Sequence, residues 1–212
     1  MRTKIFKFLT IVVIGAAVIG CKKKADEAET TEAESVATSE ATSAKYMANA
    51  AESVIEWTGH KPTGTHTGTI SIETGIFTIN DGKLESGSFI IDMNSLKESE
   101  SNEKLEGHLK SADFFDVEKF SSAAFEVTGF EMVEGKSMLS GNLTLKDVKN
   151  NVTFPVTTSE DGDMFTLTSE MFTIDRSKWN VQYGSKSFFD DLGDKFINDD
   201  IELKVTVKAK KS

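Results

Sequence analysis

The chain has 212 residues and few of the residue types that cross-link a fold or interrupt it. It contains one cysteine and two prolines, which excludes an intrachain disulfide framework. None of its three histidines has the spacing of a zinc site, so no metal is expected. Its N-terminal apolar run, residues 8–19, is shorter than the roughly 20 residues that cross a bilayer, so a permanent transmembrane helix is not expected.

Acidic residues outnumber basic ones, 34 to 24, and the formal net charge is -10. Such a surface repels polyanions and anionic lipid head groups. Nucleic acid is therefore not an expected partner, because its binding depends on neutralising phosphates with basic side chains.

The N-terminus has the organisation of an export signal. Basic residues precede the apolar run, and Cys21 follows the small Gly20. This order resembles a bacterial lipoprotein signal, which predicts that residues 1–20 are removed and that acylated Cys21 anchors the chain in the cell envelope. Lys22 is not the aspartate associated with inner-membrane retention, which favours the outer membrane and leaves open the side that the domain faces. An ordinary signal peptide with an incidental cysteine is the alternative.

Low-complexity sequence follows the cysteine. Ala, Glu, Thr and Ser dominate residues 25–44, which contain one valine and no aromatic residue. Such a segment buries too little apolar area to offset the entropy of ordering it. We therefore predict an acylated cysteine and a disordered tether over residues 21–50, and a folded domain over residues 51–212. A helix packed on the domain is the alternative.

From residue 53 onwards the apolar side chains recur at every second position, which is the period of a half-buried β-strand. Asn80-Asp81-Gly82 lies between two such runs and is a strong hairpin signal. Short antiparallel strands must form a sandwich or close into a barrel, and a meander of hairpins favours a barrel. The sequence predicts an all-β domain with strands at 54–61, 66–72, 75–79, 86–93, 122–130, 137–145, 152–157, 164–171 and 201–209.

Two segments depart from the alternation. Residues 101–110 predict a short helix capped by Ser101 or Asn102. Residues 178–197 form a connection long enough to be functional or to pack as a lid. The adjacent Asp175 and Arg176 precede this loop, and we expect them to pin it by a charge-assisted contact rather than to bind a ligand.

No arrangement of residues in the sequence predicts catalysis. His60 and His66 could meet across a hairpin, but a metal role is the less favoured interpretation. The pairs Asp190-Asp191 and Asp199-Asp200 are interpreted as solvated loop charges. We therefore do not expect an enzyme; the alternative, an enzyme acting on a lipid-like substrate, would need His66 as a titratable group inside the barrel.

Phenylalanine is abundant, at fifteen residues. An eight-stranded barrel is wide enough either to be filled by such rings or to hold one ligand. The predicted inward positions of Gly59, Gly68 and Gly141 leave room, and an interior lined by hydrocarbon favours an apolar guest. A filled barrel, in an envelope stress or interaction protein, is the alternative.

An ordered set of short motifs spans about residues 53–209. The motifs are Trp57-Thr58-Gly59 with Lys61, His66-Thr67-Gly68, Ile91-Asp92-Met93-Asn94-Ser95-Leu96, Leu105-Glu106-Gly107-His108-Leu109-Lys110, Ser111-Ala112-Asp113-Phe114-Phe115-Asp116-Val117, Gly141-Asn142-Leu143-Thr144-Leu145, Val152-Thr153-Phe154-Pro155-Val156 and Ile174-Asp175-Arg176. In their order and spacing these motifs resemble the YceI family. Ser121, where members often have proline, and the turn at 147–150, which lacks the more usual glycine, are local departures.

The resemblance implies a lipocalin-like antiparallel barrel of about eight strands that binds, sequesters or carries a polyisoprenoid lipid in the envelope. The guest would be an isoprenoid quinone or a polyprenyl pyrophosphate, with no other cofactor, and protein partners are left open. The acidic composition gives a weak preference for a neutral head group. The candidate head-group residues are Lys61, His66, Lys110 and Arg176. The candidate tunnel residues are Trp57, Ile70, Phe77, Phe89, Ile91, Met93, Phe114, Phe115, Phe125, Leu143, Phe154 and Phe165.

Overall fold

Twelve β-strands and one α-helix occupy the described part of the chain, residues 25–212 of a computed structural model. The predicted signal peptide and Cys21 lie outside these residues. Within residues 25–212 no helix is both long and apolar enough to cross a membrane. The elements are β1 (Asp26–Glu27), β2 (Glu29–Glu32), β3 (Ala44–Ala48), β4 (Val54–Lys61), β5 (Gly64–Asn80), β6 (Lys83–Glu98), α1 (Glu103–Lys110), β7 (Ser122–Val133), β8 (Lys136–Leu145), β9 (Val148–Asp161), β10 (Met164–Ser169), β11 (Phe172–Asp175) and β12 (Asp200–Lys211).

Eight strands close into an antiparallel ring, which confirms the predicted all-β barrel. Strands β4 to β10 pair in chain order, each with the next. The long β12 closes the ring because it pairs with β10 on one side, Val207 opposite Leu167, and with β4 on the other, Leu203 opposite Trp57. Strand β11 continues the path of β10 and pairs with the first half of β12.

Alternation places the apolar set inside the ring. On β6, Phe89, Ile91 and Met93 are buried, while Ile90 between them is only partly covered. The register of one strand fixes that of the next, since a slip by one residue would turn every apolar side chain outwards. The predicted strands at 66–72 and 75–79 are one continuous strand, β5, whose pairing with β6 shifts register at Thr69/Ser71 and Ile72/Thr74.

An aromatic cluster closes one end of the barrel. The Tyr46 ring of β3 lies 5.7 Å from Phe77 and 5.6 Å from Phe165, measured between centroids, and the latter two lie 5.4 Å apart. The Tyr46 hydroxyl donates a 2.6 Å hydrogen bond to Glu160. All three rings are at most 1% exposed, so side chains fill this end of the barrel.

The segment before the barrel is bound to it, which corrects the prediction of a disordered tether for residues 25–50. Strand β1 pairs in parallel with β11, and β2 pairs antiparallel with β9, so the two fill the gap that opens where β11 diverges from β9. The side-chain amide of Asn142 donates to the carbonyl oxygen of Glu34 at 2.7 Å and accepts from the Glu34 amide at 2.9 Å. We call residues 25–43 the N-terminal arm.

Strand β3 also lies before the predicted domain boundary at residue 51. It pairs with β5 and with the end of β12, and Tyr46 is fully buried. The folded domain therefore begins before residue 51. The apolar pattern did not predict these strands, because the barrel supplies their hydrogen-bond partners and the arm therefore requires no amphipathic face of its own.

The helix and the turns follow their local signals. Asn102 caps α1 by accepting from the Leu105 amide at 3.1 Å, as predicted. Asp81 and Gly82 both have positive φ, 47° and 74°, the geometry of a tight hairpin turn. The turn at Lys146 and Asp147 has the same geometry, φ 51° and 60°, without glycine.

Candidate functional site

The end of the barrel opposite the aromatic cluster contains a cavity of about 400 Å³. Its walls come from the inward faces of the barrel strands, and its cover comes from α1, from Phe114 and Phe115, and from the loop at 180–199. The volume lies within the range of small-molecule sites, about 300–1,000 Å³. We call the opening between Lys61, Tyr183 and Lys195 the mouth.

A second cavity, of about 90 Å³, lies deeper in the barrel. It shares Ile55, Ile91, Leu143 and Leu203 with the first cavity, and its lining residues are all apolar. The aromatic cluster lies beyond it, because the Phe89 ring, which lines the second cavity, is 5.9 Å from Phe77. The interior is therefore a tube that is open at the mouth and blind at the other end. The alternative of a filled barrel describes only the blind end.

The predicted tunnel residues are distributed along this tube. Phe77 and Phe165 belong to the aromatic cluster instead, and plug the barrel rather than line a cavity. Phe89, Phe125 and Phe154 line the second cavity. The first cavity contains Trp57, Ile70, Ile91, Met93, Phe114, Phe115 and Leu143, and Ile91 and Leu143 line both.

The inward glycines differ in what they leave open. A β-carbon placed at Gly59 would meet nothing within 4 Å, and Gly59 lines the first cavity. At Gly68 such a carbon would lie 1.9 Å from the carbonyl oxygen of Lys97 and 2.5 Å from the indole of Trp57, and at Gly141 it would lie 2.2 Å from the ring of Phe125. The expectation that all three leave room is thus wrong for Gly68, where backbone and a ring occupy the space, and for Gly141, where a ring occupies it.

The mouth carries positive charge in an acidic chain. Lys61, Lys195 and Arg176 line the first cavity together with all three histidines of the chain. No aspartate or glutamate from residues 25–212 belongs to that lining. The carboxylate of Glu202 lies outside the lining, and its Oε1 is 3.3 Å from His60 Nε2.

His66 is paired in the same way. Its Nδ1 lies 3.3 Å from Glu98 Oε1, while the backbone amides of Glu100 and Asn102 donate to Oε2 at 2.8 and 3.2 Å. Burial of Glu98 acts to raise its pKa, but these donors outweigh burial and the pKa lies below its ordinary value. Glu98 therefore orders the chain before α1 and holds the His66 ring beside the cavity.

Arg176 pins the loop at 180–199, as the sequence predicts. Its guanidinium is fully buried and donates to the carbonyl oxygens of Val181, Ile197 and Asn198 at 2.7, 3.2 and 3.2 Å. Asp199 completes the set at 3.2 Å. Burial lowers the pKa of Arg176, opposed by the nearby carboxylates, and guanidinium remains charged in proteins. Most of its donors are thus committed to the loop rather than to a guest.

Two residues at the mouth were not identified from the sequence, and one residue assigned from it to the head-group site lies elsewhere. His108 on α1 meets the Tyr183 ring edge-on at 4.5 Å, and both line the first cavity beside Lys195. The apolar spacing of Leu105 and Leu109 on α1 was the available signal for this wall. Lys110, a predicted head-group residue, ends α1 and lies outside the lining set found among residues 25–212. Within the same residues no cluster of three or more His, Cys, Asp or Glu side chains could hold a metal ion.

Comparison with known proteins identifies the domain. The family model described as a YceI-like domain matches residues 46–209. A UPF0312 protein of Pseudomonas putida is 31% identical over 96 residues, which cover 45% of this chain and 50% of that protein. One of Ectopseudomonas mendocina is 31% identical over 90 residues, 42% of this chain and 45% of that protein. The matched segment thus spans about half the length of these curated relatives.

Two solved structures share the fold. BcnA of Burkholderia cenocepacia superposes with a TM-score of 0.63 at 22% identity, over 77% of this chain and 99% of that one. A polyisoprenoid binding domain from Saccharophagus degradans, implicated in plant cell wall breakdown, superposes with a TM-score of 0.58 at 14% identity, over 79% and 98%. At these identities the likeness concerns the fold, whereas the family model covers most of the chain. The chain belongs to the YceI-like family.

Proposed function

We propose that this chain is a cell-envelope lipoprotein that binds an apolar polyisoprenoid lipid inside its barrel and sequesters or carries it. The observation that carries the proposal is the blind apolar tube of two adjoining cavities beneath a polar mouth. An isoprenoid tail in water exposes apolar surface at a cost of roughly 25 cal/mol per Å². A water-poor tube removes that cost without chemistry on the guest. The relative described as polyisoprenoid-binding supports this choice of guest.

The mouth favours a guest whose head group accepts hydrogen bonds. Lys61 and Lys195 have no carboxylate within ion-pair distance among residues 25–212, and no acidic side chain from those residues lines the cavity. A quinone carbonyl can accept from such donors, and a pyrophosphate adds charge attraction. The mouth therefore shifts the weak preference for a neutral head group towards the charged one.

The location and the anchor belong to the same proposal. Acylation of Cys21 would hold the barrel at a membrane of the envelope, and Lys22 favours the outer membrane. Several acyl chains on one residue give stable anchoring, since each buried methylene contributes about 0.8 kcal/mol.

Filling the space beside Gly59 tests the cavity. We expect Gly59→Phe to weaken binding of a long-chain isoprenoid quinone by about tenfold or more, because the ring takes the place of the guest. Quenching of the indole of Trp57, which lines the cavity, reports uptake, and thermal unfolding reports integrity. The matched control is Gly107→Phe, at an exposed position on α1 that also has nothing within 4 Å and does not line the cavity.

The outcomes separate the possibilities. Loss of uptake in Gly59→Phe with retained uptake in Gly107→Phe supports the proposal. Equal uptake in both variants, or no uptake by the unaltered chain, contradicts it. Repeating the titration with a polyprenyl pyrophosphate at low and high salt distinguishes the head groups, since only the charged guest should lose affinity as salt screens the mouth.

A further inference from the structure

The path of the N-terminal arm limits how far the barrel can stand from its anchor. Asp26 is paired with Phe172 in the barrel wall. Five residue steps separate Cys21 from Asp26, and a chain spans at most about 3.6 Å per residue, so the two Cα atoms are within about 18 Å. A free coil over residues 21–50 would not impose this limit.

An exposed apolar patch lies beside the point where the chain joins the wall. Met132, Val133 and Met171 are 67%, 47% and 48% exposed. Sheet pairing places Met132 opposite Ser137, Ser137 opposite Val156, and Val156 opposite Ser169. Val156 and Ser169 are themselves buried, so the patch consists of two exposed groups, Met132 and Val133 at the end of β7 and Met171 after β10, three strand spacings or about 15 Å apart.

Charge interactions connect this patch to the start of the arm. Lys136, opposite Val133 at the tip of the β7–β8 hairpin, bonds Glu170 at 2.9 Å, next to Met171. Glu170 and the nearby charge of Asp26 both raise the pKa of Lys136. The first residues of the arm and the patch therefore occupy one side of the molecule.

We propose that this patch of Met132, Val133 and Met171 rests on the bilayer that holds the anchor, so that the mouth points away from that bilayer. The inference rests on the anchor in the proposed function. Val133 and Met132 pair with Lys136 and Ser137 at the beginning of β8, whereas Leu145 at the end of β8, about 30 Å along the strand, lines the first cavity. The occupant is the lipid surface, because the short span from Cys21 brings that surface to the patch.

The surface chemistry suits a weakly charged bilayer. Glu131 and Glu134 flank the apolar side chains, and three lysines follow Cys21 in the sequence. Apolar side chains in contact with the head-group region contribute buried area, while the three lysines offset the negative charge of Glu131 and Glu134.

Quenching by labelled lipids tests the orientation. The full chain is produced in a bacterium, acylation of Cys21 is checked by its mass, and the protein is placed in phosphatidylcholine vesicles containing nitroxide-labelled lipid. A fluorophore is attached in separate variants at Glu131→Cys, beside the patch, and at Thr63→Cys, in the exposed hairpin at the mouth. We expect quenching at position 131 to exceed that at position 63 several-fold.

Two further variants test the cause. A 20-residue Gly/Ser insertion after Lys24 should reduce quenching at position 131, because a flexible linker of that length removes the limit on distance. Replacing Met132, Val133 and Met171 together by serine should also reduce it, with the thermal unfolding temperature as the control for folding.

Three results overturn the inference, and they differ in what else they affect. Equal quenching at both positions, or stronger quenching at 63, overturns the orientation and leaves the anchor intact. If quenching at position 131 survives the insertion and the serine replacements, neither the short link to Cys21 nor the apolar patch is the cause of the orientation. An unmodified Cys21 removes the anchor and this inference with it, while quinone uptake in the Gly59→Phe comparison still decides the cavity.

Discussion

At the scale of single residues, buried charges organise the rim of the cavity. The Glu98 carboxylate contacts the His66 ring and accepts hydrogen bonds from two backbone amides. The backbone amide of Glu98 donates to Glu106 at 2.9 Å. Arg176 plays the matching part for the loop on the other side of the mouth. Both residues position the groups that line the cavity.

The pKa of Glu98 predicts a pH dependence. A carboxyl group whose pKa is lower in the folded than in the unfolded state stabilises the fold above its ordinary pKa, here 4.5, and this contribution is lost as pH falls through the lower, folded value. We expect Glu98→Gln to lower the thermal unfolding temperature at pH 7 and to lose less further stability than the unaltered chain below pH 4.5.

The control for that measurement is Glu73→Gln, at an exposed position on β5. Thermal unfolding from pH 3 to pH 7 should give parallel curves for Glu73→Gln and the unaltered chain. A Glu98→Gln curve parallel to both would contradict the assigned role.

Single positions of the site were predictable where strand alternation determined them. Trp57, Ile70 and Met93 face the cavity because their neighbours in sequence face outwards. The positions of His108 and Tyr183 depend on how α1 and the loop at 180–199 pack across the barrel end. Such long-range packing has no period in the sequence, so these residues could not be placed.

At the scale of elements, the turn between β8 and β9 carries a local cost. Lys146 and Asp147 are both in the left-handed region, where side chains other than glycine are disfavoured by roughly 1–2 kcal/mol. Lys146 has a compensating contact, because its ammonium group donates to the Phe114 carbonyl at 2.7 Å. Within residues 25–212 the Asp147 side chain makes no such contact. We therefore expect a substitution at position 147 to relieve the strain.

We expect Asp147→Gly to stabilise the domain by about 0.5–1 kcal/mol, since relief of the left-handed strain exceeds the entropy that glycine adds to the unfolded chain. Urea unfolding measures the change. Asp147→Ala is the control and should be neutral or destabilising, because alanine lacks the freedom of glycine and adopts a positive φ less readily than aspartate does. Destabilisation by Asp147→Gly would contradict the explanation.

Element boundaries show what the sequence pattern can and cannot predict. The predicted bounds of β4 and of the helix region agree closely with the structure, because alternation and a cap are local signals. Strands β1 and β2 were missed because Ala, Glu and Thr in the arm carry no alternation. Their partners, β11 and β9, lie more than a hundred residues away in sequence.

At the scale of the whole molecule, the barrel closes without the N-terminal arm. The ring of β4 to β10 and β12 includes no residue of the arm. The arm instead covers the outer face, where Asn142 and Asn151 are each 2% exposed. It should therefore contribute stability without being required for the fold.

We expect replacement of residues 25–43 by a Gly/Ser segment of equal length to leave the circular dichroism of the barrel unchanged. It should lower the free energy of unfolding by about 1–3 kcal/mol, since each lost hydrogen bond contributes about 1 kcal/mol net. Asn142→Ala, which removes the two contacts with Glu34 and the hydrogen bond that Asn142 accepts from Asn151, is the comparison and should give part of this loss. An unchanged free energy of unfolding would show that the arm does not hold to the barrel in solution.

The aromatic cluster at the blind end has a consequence for traffic through the tube. With a single opening, the proposed lipid guest that enters tail first must leave head first, so its orientation in the tube does not change while it is bound. In the proposed carrier, donor and acceptor would have to use this one opening in turn. The kinetics of lipid transfer should then fit a scheme in which the loaded protein leaves the donor before it contacts the acceptor.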